Sequence, residues 1–153
     1  MSDDFKINDA TYSGTKEVDQ NLKFDTNLLQ DWMHEYIPNC ESISSVEQFK
    51  GGQSNPTYKI LTKTGAYVLR RKPPGKLLPK AHAVDREYKV ISALEETDVP
   101  VPKTFGLCDD NNVVGTPFFM MEFVEGKVFW DHLLPSCSKT ERAQINRDKN
   151  RVI

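Results

Sequence analysis

No run of about 18 consecutive apolar residues occurs in the 153-residue chain, so no segment reads as a membrane-spanning helix. The N-terminal region lacks both the apolar core of a secretory signal and the arginine-rich pattern of a transit peptide. Cysteine is scarce. Cys40, Cys108 and Cys137 are odd in number and far apart, which suits neither a disulfide framework nor a zinc ligand pair. A reducing, intracellular compartment is therefore expected. Net charge is nearly absent as well: 20 Lys and Arg against 22 Asp and Glu leave −2. A general nucleic-acid binder needs clustered positive charge for its phosphate contacts, so no nucleic-acid partner is expected. Internal repeats and low-complexity stretches are also missing.

The charge that is present is unevenly spread. Residues 1–50 carry a net −6, residues 51–103 a net +5 and residues 104–153 a net −1. The middle third is where an anionic ligand would be held, although a solvated basic face gives the same count.

Residues 1–24 show scattered apolar groups without a period and read as a flexible acidic tail. Asp25 or Thr26 then caps a helix carrying Leu28, Leu29, Trp32, Met33 and Tyr36 at helical spacing, closed by Pro38. Strands follow over residues 43–49, 57–62 and 66–70, joined by short turns into an antiparallel meander. Lys72-Pro73-Pro74-Gly75 must break the third strand, because proline cannot donate to a ladder. A second helix is expected from about residue 80 to 96, on the apolar positions Ala83, Val84, Tyr88, Ile91 and Leu94. Two more strands, 103–108 and 116–124, flank a turn over residues 109–112, and a polar helix covers 138–147.

Four features along this order bear on chemistry. Gly51-Gly52 opens the turn between the first two strands, where glycine lets backbone N–H groups approach a phosphate; an ordinary hairpin turn has the same composition. Arg70 and Arg71 end the third strand, and alternation lets only one point inward without saying which. Glu87 lies on or beside the apolar stripe of the second helix, where a carboxylate is costly unless paired. The natural partner is a cation at the end of the strand beneath. Finally, Phe118-Phe119-Met120-Met121 is an apolar strand running into Glu122-Phe123-Val124-Glu125-Gly126, a linker whose backbone could bond the edge of a nucleotide base.

A glycine turn, a strand-borne cation, a helix-borne Glu and an apolar strand with a linker make the small lobe of a kinase fold. The chain resembles the aminoglycoside phosphotransferase and choline kinase-like family, most closely the N-terminal kinase-like domain of acyl-CoA dehydrogenase family members ten and eleven. The resemblance is carried by Phe49-Lys50-Gly51-Gly52-Gln53-Ser54-Asn55-Pro56-Thr57-Tyr58, Tyr67-Val68-Leu69-Arg70-Arg71-Lys72-Pro73-Pro74-Gly75, Ala81-His82-Ala83-Val84-Asp85-Arg86-Glu87-Tyr88, Val99-Pro100-Val101-Pro102 and Gly115-Thr116-Pro117-Phe118, and covers residues 25–142.

That likeness implies an α+β fold: a twisted five-stranded antiparallel sheet with one packed helix and a preceding N-terminal helix. It implies ATP as phosphoryl donor, with Gly51, Gly52, Ser54 and Asn55 near the phosphates. Arg70 falls where the family carries a lysine and would contact the α and β phosphates, with Glu87 as its ion-pair partner. An arginine fork is not interchangeable with an ammonium, so phosphate geometry should differ. Met121 would stand behind the adenine, and the Glu122 carbonyl and Val124 amide would bond its edge. The acceptor implied is a hydroxyl group, on a hydroxylated acyl-CoA or fatty acid, and the compartment a peroxisome or mitochondrion, otherwise the cytoplasm.

A transferring kinase also needs a catalytic Asp and a Mg²⁺-binding Asp from a large lobe. The only His-Asp neighbours here, Asp131-His132, stand in reversed order directly after the linker. The expectation is therefore a tail over 1–24, a small lobe over 25–135, and over 136–153 the truncated start of a large lobe. Such a chain would bind nucleotide weakly and transfer nothing alone. As an alternative it would be an interaction module, docking a partner chain or a second copy through its exposed floor.

Overall fold

The computed structural model describes residues 13–51, 54–75 and 83–152. Six strands form one antiparallel sheet: β1 (Thr15–Lys16), β2 (Ile43–Phe49), β3 (Thr57–Thr62), β4 (Ala66–Arg71), β5 (Thr104–Cys108) and β6 (Phe118–Glu122), in the order β1-β2-β3-β4-β6-β5. The helices are α1 (Thr26–Tyr36), α2 (Val84–Leu94), the single turn α3 (Asn111–Val114) and α4 (Lys139–Val152). Among the described residues no helix is long and apolar enough to cross a membrane.

The expected meander is present as β2-β3-β4, and β6 inserts between β4 and β5. One count needs correcting. The sheet has six strands rather than five, because Thr15 and Lys16 pair with Phe49 and Gln48 at the edge of β2. Two polar residues carry no period, so pattern alone cannot reveal them. Side chains hold the segment instead. Thr15 Oγ1 donates to Glu47 Oε2 at 2.6 Å, and the Asp19 amide donates to Gln48 Oε1 at 3.0 Å. The second helix begins at Val84, and the residues expected to start it, 80–82, lie outside the described residues. The turn expected at residues 109–112 tightens into α3, capped by Asp110 and closed by Gly115 at φ 90°.

The sheet is covered on both faces. On one, α1 lays Leu29, Trp32 and Met33 over Tyr58, Ile60, Leu69, Phe118 and Met120. On the other, Tyr88 of α2 meets Phe119, with ring centroids 6.0 Å apart. That explains the unbroken apolar run: Phe118 and Met120 face α1, Phe119 faces α2, and all three are fully buried. A strand buried on both sides cannot alternate.

Arg71 shares the α1 face and is 3% exposed. Among the described residues it has no carboxylate partner. Its Nη1 donates to the Val114 carbonyl and its Nη2 to the Leu22 carbonyl, and its guanidinium lies 5.3 Å from the Phe24 ring and 5.4 Å from that of Tyr58. Burial pulls its pKa below the usual arginine value, which neighbouring Tyr58 opposes. Burial likewise raises the Tyr58 hydroxyl, and the Arg71 charge opposes that shift. A guanidinium tolerates this site because it is weakly hydrated and planar enough to lie against aromatic rings.

Gly106 of β5 sits under α1, where an added Cβ would lie 3.2 Å from Trp32 and 3.3 Å from Tyr36. We expect Gly106→Ala to destabilise the domain by about 1–3 kcal/mol, because the stacked Trp32–Tyr36 pair must shift. Urea unfolding monitored by circular dichroism measures this directly.

Candidate functional site

The face of the sheet opposite α1 carries the chemistry. On β3, Tyr58 and Ile60 turn into the core while Thr57 and Lys59 turn the other way; on β4, Val68 and Arg70 do the same. Two pockets adjoin there. The larger, of about 1080 Å³, is mainly apolar and lies between the Gly51 loop and the linker after β6. The smaller, of about 670 Å³, lies between that loop and α2. Thr57 borders the first and accepts from Arg70 Nη1 at 2.9 Å, so one side chain joins the two.

Of the nine residues singled out in the sequence, eight divide between these pockets. Gly51, Met121, Glu122 and Val124 line the larger. Ser54, Asn55, Arg70 and Glu87 line the smaller. Gly52 lies outside the described residues. The choice between the two arginines is settled by the strand: Arg70 takes the pocket face and Arg71 the core.

Arg70 and Glu87 form an ion pair from Nε to Oε2, supplemented by Nη2 to Oε1 at 3.4 Å. Asn55, 2% exposed, donates its Nδ2 to the same Glu87 Oε1 at 2.8 Å, and its carbonyl accepts from Arg70 Nη1 at 3.4 Å. Strand, helix and glycine loop are thereby locked at one point. Glu87 also stands in the first turn of α2, where the positive end of the helix dipole favours a carboxylate. Among the described residues four of the five Arg70 N–H donors are engaged, leaving one on Nη2 to meet an anion.

The linker end differs in character. The Phe123 amide donates to the Ala66 carbonyl at 3.3 Å, and the chain then leaves the sheet. Among the described residues the Val124 amide has no hydrogen-bond partner, at the rim of the apolar cleft. Phe123 stacks on Phe49 at 6.3 Å and carries Lys59 Nζ 4.1 Å over its ring. Lys59 was not among the expected site residues, although its alternation with Tyr58 and Ile60 marks it as facing away from the core. Residues 13–15, Pro100 and Trp130 also line the cleft, and no local signal in the sequence distinguishes them. No three His, Cys, Asp or Glu side chains cluster among the described residues.

The Arg70 and Glu87 side chains are roughly a quarter and a third exposed, so solvent screens them. A double-mutant cycle with Arg70→Gln and Glu87→Gln should give a coupling of about 0.5–1 kcal/mol. It should shrink when salt rises from about 0.1 to 1 M, as the screening length falls. Urea titrations at the two salt concentrations measure both values.

The comparisons with known proteins agree with this fold. A family model described as "Phosphotransferase enzyme family" matches residues 45–145. The rat protein named acyl-CoA dehydrogenase family member 11 is 44% identical over 135 residues, which is 86% of this chain and 17% of that protein. The mouse acyl-CoA dehydrogenase family member 10 is 44% identical over 106 residues, 69% of this chain and 10% of that protein. This chain thus spans less than a fifth of the length of these relatives. A crystal structure of a Ralstonia eutropha protein, assigned as an aminoglycoside phosphotransferase, superposes with a TM-score of 0.71 at 46% identity, over 85% of this chain and 37% of that one. With its kinase-like α+β fold, the chain belongs to the phosphotransferase enzyme family.

Proposed function

We propose that the cleft binds an adenine nucleotide and that these residues are the nucleotide-holding part of an ATP-dependent phosphotransferase acting on a hydroxyl group. The observation that carries this is the unpartnered Val124 amide at the rim of an apolar cleft, one residue past the last backbone bond of the sheet. A purine offers both an apolar body and a hydrogen-bonding edge to such a site. Met121 and Phe49 supply apolar surface, and the Glu122 carbonyl and Val124 amide bond the edge. The phosphates extend toward Gly51 and Ser54, where Arg70 supplies positive charge. Asn55 acts through Glu87, as a positioning group for the loop.

Likeness to acyl-CoA dehydrogenase family members supports an acceptor from the same chemistry, a hydroxylated acyl-CoA or fatty acid. Transfer needs a group to orient the acceptor hydroxyl and carboxylates to hold the metal. The 153 residues contain no His-Gly-Asp sequence, and Asp131-His132 follows directly on the linker. On this reading the chain holds nucleotide without transferring phosphate. A docking role is the second reading, favoured by Val124, Val128, Phe129 and Leu133, which are 60%, 56%, 38% and 79% exposed around the linker. A partner chain or a second copy would cover them.

Calorimetric titration of the chain with ADP should show binding that Arg70→Met weakens about tenfold, the size expected for a hydrogen bond to a charged group. Adenosine binding should be unchanged by that substitution. With ATP, Mg²⁺ and hydroxy-acyl acceptors, mass spectrometry should find no phosphorylated product. Absence of ADP binding at millimolar concentration would remove the nucleotide reading and leave the docking one.

A further inference from the structure

Residues 13–24 do more than lengthen the sheet. The Gly14 carbonyl accepts from the Lys50 amide at 3.1 Å, at the entrance to the glycine loop, and Gly14 reaches that position with φ 82°. One residue earlier, Ser13 Oγ accepts from Trp130 Nε1 at 3.1 Å, across 117 positions of sequence. The segment therefore runs from the glycine loop on one side of the cleft to the linker region on the other, and Ser13, Gly14, Thr15 and Trp130 all line the cleft. Its far end is anchored in the core, where the Leu22 carbonyl accepts from both Tyr58 Oη and Arg71 Nη2.

We propose that Trp130, oriented by Ser13, is a wall of the cleft that contacts the nucleoside portion of the ligand, and that residues 13–16 strap this wall in place. The proposal rests on the nucleotide reading above. Indole has a single polar atom, its N–H, and Ser13 engages it. What Trp130 can offer a ligand is its carbon surface, which suits a purine or the face of a ribose and has nothing to bond a phosphate. Ser13 is a positioning residue: it touches the ligand-facing ring rather than the ligand.

The two parts of the ligand separate the outcomes. ADP, adenosine and tripolyphosphate are titrated into the full chain and into Ser13→Ala, Ser13→Thr, Trp130→Phe and Trp130→Ala. Ser13→Ala and Trp130→Phe each lose one neutral hydrogen bond and should weaken ADP and adenosine equally, by about two- to tenfold. Trp130→Ala loses the ring as well and should cost about fivefold or more. Ser13→Thr keeps the hydroxyl and should restore binding, and tripolyphosphate should be indifferent to all four changes. Without ligand, hydrogen exchange at the Lys50 amide, which donates to the Gly14 carbonyl, should quicken in Ser13→Ala and Trp130→Phe. Equal ADP affinity across wild type and variants would overturn the strap and leave nucleotide binding standing. Parallel losses for tripolyphosphate would overturn it too, since they mark a general loss of structure. A wild-type chain that binds neither ADP nor adenosine would remove both proposals together.

Discussion

Two consecutive arginines end β4, and the pleat sends them to opposite faces of the sheet. Everything around the site follows from that division. Arg70 turns to the open face and gathers Glu87 of α2 and Asn55 of the glycine loop into one lock. Arg71 turns into the core and gathers the Leu22 carbonyl, the Val114 carbonyl and two aromatic rings. One cation organises the loop beside the apolar cleft. The other fixes the segment that borders it.

The two sites treat charge differently because their surroundings differ. Arg70 remains partly wet, so its pair with Glu87 is screened and contributes modestly to stability; its value lies in geometry. Arg71 is nearly dry, and among the described residues it has no counter-ion and its Nε has no hydrogen-bond partner. Such a group is tolerated because carbonyl dipoles and aromatic faces replace part of its hydration. It connects α3, the N-terminal segment and β4, which no apolar side chain of that length could do while also bonding two carbonyls. The same face carries Tyr58, whose hydroxyl bonds the Leu22 carbonyl as well.

The cleft combines elements of opposite kinds. Its apolar surface comes from strand residues whose alternate neighbours build the core, as Val68 and Met121 alternate with Leu69 and Met120. Its polar edge comes from the linker after β6, where the ladder stops and the backbone becomes available. α2 has a single buried residue, Val84, and leaves Val90 59% exposed. The helix therefore depends on the Glu87 lock, and on Tyr88 against Phe119, for its seat on the sheet.

Local order was legible from residue types. The spacing of Leu29, Trp32 and Met33, a cap at Asp25 or Thr26, and the bounds of β2 and β3 all follow from short-range residue patterns, and the structure puts the cap at Asp25. So did the pairing of Glu87 with a β4 arginine, because a carboxylate beside an apolar stripe requires a cation nearby. Which arginine it was did not follow. Tyr67 and Leu69 share one face with Arg71, and Val68 shares the other with Arg70, so apolar content could not decide inward from outward. Thr15 and Lys16 were equally silent, since their place in the sheet depends on Gln48 and Glu47 three decades of sequence away. The Ser13–Trp130 bond spans 117 positions of the 153-residue chain. Periodicity reports what a residue does within its own element; contacts between distant elements exist only once the sheet has brought them together.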